Sequence, residues 1–206
     1  MKKLYEPRFL KTASKLMLAF LAMSVVVAII PLCMPAPTKL YVKVAAVYEG
    51  VIDQRFFMTH HAIKECAKTF VNDMMLVAHE QGEPMAAVGH ITKAAAKYDK
   101  ELKLHYLEVI VEITDPIAID KIQKKLFSKV SIGFMPISVQ CSICQTNMLH
   151  CSHDPGHEYN GVLARGIVWQ MDGLELSFVN IPASEHARVL SWSTNDVELS
   201  TGNLPK

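Results

Sequence analysis

The densest chemistry in the sequence lies between positions 141 and 157. Cys141, Cys144 and Cys151 are followed by His153 and His157, in the pattern C-x2-C-x6-C-x-H-x3-H. A CxxC turn presents two thiolates to one ion, and zinc prefers four tetrahedral sulfur or nitrogen ligands. Cys151 and His153 complete such a set across a short loop, leaving His150 and His157 as surface residues. A set closed by four protein ligands makes the metal structural, ordering a segment with little apolar content of its own. Two other readings stay open: a redox CxxC pair, which would call for a thioredoxin-like βαβ setting that the sequence does not show, and a loop with incidental cysteines. Cys33 and Cys66 bring the total to five, an odd and clustered set unlike a secreted disulfide framework.

A second pair of candidates is Ser131 and His79. Ser131 sits in KVSIGF, a β-prone stretch in which Gly133 lets the backbone approach a ligand closely. A nucleophilic serine needs an exposed hydroxyl, a base and donors for an oxyanion. His79 follows the apolar run MMLVA and precedes EQGEP, and histidine titrates near neutrality, so it is the natural base. Taken only as residue types, the two also fit an ordinary strand serine and an ordinary loop histidine.

The elements that must position these groups are mostly strands. LYVKVAAVYEG alternates and closes on Gly50; MMLVAHE delivers His79 at its end; AAVGHI and LKLHYLEVIVEI are two more strands, joined by a turn at AKYDKEL. Ile63, Ala67 and Phe70 predict a short amphipathic helix beginning near His60. Asp115-Pro116 starts a second helix, with Ile117, Ile119, Ile122 and Leu126 apolar and lysines opposite. KVSIGFMPISVQ reads as a strand interrupted at Gly133 and Pro136, and VLARGIVWQ and LELSFVNI as two separate strands. This order predicts an α+β, mainly β domain, barrel-like rather than doubly wound. No glycine-rich phosphate loop is present, which excludes the common nucleotide-binding motifs.

The 206 residues suffice for one domain with additions, half of them hydrophobic, and the net charge of +1 argues against a broad nucleic-acid-binding surface. Residues 16–34 carry no charge and follow Lys2, Lys3, Arg8, Lys11 and Lys15. That arrangement is signal-like or a marginal membrane span, or else a removable docking helix. Pro31, Pro35 and Pro37 end it, giving an apolar segment 1–37, a domain 38–193 with the insert 141–161, and a polar tail 194–206.

Three short motifs occur in a fixed order: His79 with Pro84-x3-Val88-Gly89, then Val130-Ser131-Ile132-Gly133-Phe134, then Glu175-Leu176-Ser177-Phe178-Val179-x2-Pro182-Ala183. Together, over roughly residues 39–190, they resemble the prohead protease family of tailed phages, which is related in fold to the herpesvirus assemblins. The insert, with Cys151-x-His153-x2-Gly156 and Tyr159 after it, resembles one in proteases of some large phages. The resemblance implies an assemblin-like antiparallel β-barrel with flanking helices. It also implies a serine endopeptidase with Ser131 as nucleophile, His79 as base and Glu175 as third member, Asn180 and His105 being the reserves. Its substrates would be scaffold and capsid-protein segments inside a prohead in the host cytoplasm. Self-cleavage would release residues 1–37, and dimerisation is possible. The apolar N-terminal run is not part of the family pattern. A zinc-stabilised, membrane-anchored binding or assembly module without enzymatic activity is the alternative.

Overall fold

The computed structural model describes residues 38–195; the apolar N-terminal segment and nearly all of the polar tail lie outside the described residues. Strand β1 (Leu40–Tyr48) has its alternating valines fully buried and takes β6 (Leu104–Ile113) on one edge and β11 (Arg188–Ser193) on the other, both antiparallel. Strand β5 (Gly89–Asp99) pairs with β6 from Gly89↔Ile113 to Asp99↔Leu104. The strand expected to end near Ile91 therefore continues through Lys97 and Tyr98. Its alanine and lysine positions alone have weak strand preference, and the long partner β6 imposes the extended form.

The other half of the molecule is built on β10 (Gly166–Phe178), a single strand of 13 residues where the sequence suggested two. Strand β7 (Val130–Cys141) pairs along its whole length, from Gly166↔Cys141 to Phe178↔Val130. Pro136 does not interrupt β7. Among the described residues the one partner strand of β7 is β10, so Pro136 can sit at an edge where its missing N–H breaks no ladder, and the register irregularities fall nearby. With β7 filling one edge of β10, two short strands share the other edge. Strand β3 (Phe56–Met58) pairs with Gly166–Val168 and β4 (Met74–Val77) with Leu176–Phe178, both parallel to β10. A purely antiparallel barrel is thus replaced by a mixed sheet.

Strand β2 (Gly50–Ile52) closes one branch against β3, and β4 joins the other branch to β5. The path β11-β1-β6-β5-β4-β10-β3-β2, with β7 beside β10, curls into a half-barrel. A bridge between Lys129 and Arg188 and a bond from Val189 N–H to Ser128 O bring β11 toward the entry to β7. Strands β8 (Glu158–Tyr159) and β9 (Val162–Leu163) form a separate hairpin between β7 and β10.

Helix α1 (His60–Cys66) and the 3-10 turn Ala67–Phe70 link β3 to β4 and fill the space between the two branches. Thr59 caps α1, its hydroxyl accepting from Ala62 N–H. Thr69 Oγ1 accepts from Gly173 N–H at 2.8 Å, and the Phe70 ring packs where a side chain at Gly173 would stand. Helix α2 (Pro116–Gln123) starts as the sequence predicts, with Asp115 accepting from Ala118 N–H at 2.7 Å. Its buried face is Ala118, Ile119 and Ile122; Ile117 and Leu126, expected on that face, are about two-thirds exposed. The helix ends at Gln123, so Leu126 falls beyond it, and Ile117 sits in the first turn on the solvent side. Among the described residues no helix is long and apolar enough to cross a membrane.

Candidate active site and metal centre

Three elements bring the site together. β4 ends at Val77, and the next two residues, Ala78 and His79, both take the left-handed conformation, with φ of 57° and 61°. This tight turn is held by a bond from Ala78 N–H to Phe178 O (3.0 Å) and one from His79 N–H to Ser177 Oγ (3.1 Å). It returns the imidazole over β10, where Nδ1 meets Glu175 Oε1 at 2.7 Å. A carboxylate only accepts, so Nδ1 is the donor in this pair and Nε2 is left outside it. The His79 side chain is 41% exposed and that of Glu175 only 1%.

Burying a carboxylate costs several kcal/mol unless its oxygens are bonded. Here both are: Oε1 by His79, and Oε2 by the hydroxyl of Ser177, itself fully buried. Ser177 lies in the third sequence motif with no role assigned by residue type, because a serine on a β strand gives no sign of which way its hydroxyl bonds.

Ser131 lies directly across from Ser177 in the β7–β10 ladder, and Gly133 across from Glu175. Facing residues of an antiparallel pair project to the same side, as do residues two apart on a strand. Ser131, Ser177 and Glu175 therefore share one face. The opposite face carries Val130, Leu176 and Phe178 into the main core. Ser131 is 6% exposed and borders a cavity of about 30 Å³, lined also by Val47, Ile52, Phe134 and Ala183. Among the described residues its hydroxyl makes no hydrogen bond with the His79 ring. The reserves fall elsewhere: His105 binds Glu49 through Nδ1 (3.2 Å) and stacks on His60, and Asn180 is an exposed loop residue.

Asp73, just before β4, is a further acid of this neighbourhood. Burial, and then the charge of Glu175, push its carboxyl above the usual range, and its Oδ2 is buried without a partner.

At the far end of β7, Cys141, Cys144, Cys151 and His153 each offer a ligand atom, and these atoms lie within 4.8 Å of one another. Cys141 N–H bonds Thr146 O and Gln145 N–H bonds Cys141 O, closing a tight turn in which Ile143 N–H reaches Cys141 Sγ at 3.4 Å. The Met148–His150 turn carries the chain back to Cys151. His153 stands edge-on to the Tyr159 ring, and its Nδ1 is buried with no hydrogen-bond partner. An orphaned imidazole nitrogen beside three sulfurs is what a coordinated ion would satisfy. The four residues can hold a metal ion, and His150 and His157 lie outside the group as exposed residues.

Comparison with protein-family models, with curated proteins and with solved structures returns no match to this chain.

Proposed function

We propose that the chain is a serine endopeptidase of the prohead-maturation type, with an assemblin-like catalytic domain. The observation that carries this reading is the buried Glu175 holding His79 Nδ1 at 2.7 Å, on the sheet face that Ser131 shares. In the reaction, Ser131 Oγ attacks the scissile carbonyl while His79 Nε2 accepts its proton. The proton then passes to the leaving amine as the C–N bond breaks, and water hydrolyses the acyl-enzyme by the same base. Glu175 fixes the ring's tautomer and stabilises the imidazolium. Backbone N–H groups close to Ser131 would hold the oxyanion. Contact between Ser131 Oγ and Nε2 forms when an extended substrate occupies the face, as hydrogen bonds of this kind tighten in the substrate complex.

Under the same reading the ion at Cys141, Cys144, Cys151 and His153 is zinc, and its role is structural. The substrates are scaffold and capsid-protein segments inside an immature phage shell in the host cytoplasm. The chain's own residues 1–37 are a first substrate, released by self-cleavage.

Treatment of the purified full chain with a fluorophosphonate, with intact-mass readout, tests the enzyme claim. One adduct on the wild type and none on Ser131→Ala is expected; equal labelling of the two would sink it. Identical full-length masses for the two untreated proteins would remove self-processing alone. A second reading, a metal-stabilised assembly module without activity, is favoured by one observation: the Ser131 hydroxyl is nearly buried and does not bond to His79. Absence of any adduct at Ser131 would select it.

A further inference from the structure

Two serines face each other across the β7–β10 ladder, and their hydroxyls are in different states. Ser131 Oγ has no hydrogen bond among the described residues, whereas Ser177 Oγ is fully committed. It donates to Glu175 Oε2 and accepts from the backbone N–H of His79 at 3.1 Å. One side chain thus touches both members of the His79–Glu175 pair, by way of the carboxylate of one and the main chain of the other.

Each bond has a physical task. Glu175 has two oxygens in a site closed to water, and His79 can satisfy only one. Without a donor on Oε2 the carboxylate would lose a charge-assisted bond and be free to rotate about its last torsion. The N–H of His79 belongs to a pair of consecutive non-glycine residues in the left-handed region, a conformation that persists only where surrounding bonds hold it. Ala78 N–H is held by the backbone of Phe178, but among the described residues His79 N–H is held by the Ser177 side chain alone.

We infer that Ser177 is a positioning residue of the site, one hydroxyl setting both the rotation of the Glu175 carboxylate and the turn that aims the His79 ring. The inference rests on the reading of His79 and Glu175 as base and orienting acid. A serine is suited to this task because the site requires one donor and one acceptor on the same small atom. Alanine supplies neither, and a thiol supplies both only weakly.

A donor on Oε2 draws charge from the carboxylate. Its removal changes both the charge and the orientation that Glu175 presents to the imidazole, so the pH dependence of labelling moves with it. The groups facing the pair are Asp73 on the approach to β4 and the uncharged Ser131 and Gly133 on β7.

The test uses the full chain, Ser177→Ala and Ser177→Cys, each checked for an intact amide NMR spectrum. In the unmodified chain the His79 amide should exchange slowly with solvent; exchange at the rate of an unprotected amide would overturn the proposal without any variant. In both variants the fluorophosphonate labelling rate of Ser131 should fall about tenfold. The pH profile of the labelling should shift by about half a pH unit. Unchanged rate and pH profile in folded Ser177→Ala would refute it, as would full recovery in Ser177→Cys, which would make Ser177 a matter of volume. If the unmodified chain takes no label at all, the protease reading fails. The exchange rate of the His79 amide then still decides the role of Ser177.

Discussion

The carboxylate of Glu175 lies across the backbone of Gly133, its register partner on β7, so closely that a methyl group there would overlap Oε1. Gly133 has no positive φ to explain its identity. The glycine is set by space, since only a hydrogen on that Cα lets the buried acid reach the His79 ring from the neighbouring strand.

Gly133→Ala is therefore expected to force the Glu175 side chain out of its place or to spread β7 from β10. A loss of about 2 kcal/mol or more is expected in denaturant unfolding, by overpacking and by exposing a buried bond network. Labelling at Ser131 should fall at least as far as in Ser177→Ala. Wild-type stability and labelling in Gly133→Ala would show that the acid has another seat.

Glu175→Gln keeps the shape of the side chain and removes its charge. The amide oxygen can still accept from Nδ1, but under the protease reading the imidazolium formed during reaction loses its counter-charge. The labelling rate of Ser131 is expected to drop roughly a thousandfold or more, with the fold retained. A drop below tenfold would remove Glu175 from the reaction.

Asp73→Asn should stabilise the protein, and only at higher pH. Burial first, and the charge of Glu175 second, raise the Asp73 carboxyl above its ordinary value, so the folded state binds its proton more tightly than the unfolded chain. At a pH below the unfolded value the acid is protonated in both states and costs nothing. The cost grows as pH rises from the unfolded value through the folded one, and persists at neutrality. Thermal melts should thus show the variant a few degrees (~2–4 °C) above wild type at pH 7 and level with it near pH 3. A stabilisation that is the same at both values would contradict this.

Metal analysis of the purified chain should give one ion per molecule, lost in Cys151→Ser. Stripping it with a strong chelator should lower the melting temperature by more than about 5 °C and expose the amides of residues 141–161 to exchange. Unaltered melting and exchange after removal would make the cluster incidental.

Much of the scaffold could be read from residue pattern. The alternating valines of β1, the Asp115 cap of α2 and the approach of β4 to His79 all carried local signals that the tertiary structure respects. The Cys/His cluster was legible for the same reason: its spacing is short, so sequence proximity forces spatial proximity. What was not legible depends on long-range partners. The unbroken β7 through Pro136, the merger of two stretches into β10 and the extension of β5 past Ile91 are decided by the strand alongside. Strand β11 has an unremarkable sequence, RVLSWS, and forms because β1 offers it an edge. The left-handed turn at Ala78–His79 contains no glycine to announce it, and Ser177 acquires its task only when β4 docks on β10.

The docking of β4 against β10 also sets a timetable. His79 leaves the ribosome almost a hundred residues before Glu175, and the edge that must hold its turn does not exist until Phe178 has been made. Strand β11, which covers β1, comes later still. An unfinished chain thus carries serine and histidine without the strand that joins them. Under the protease reading, the enzyme is inert during its own synthesis, and its first opportunity to cut arises only when translation of the domain is nearly complete.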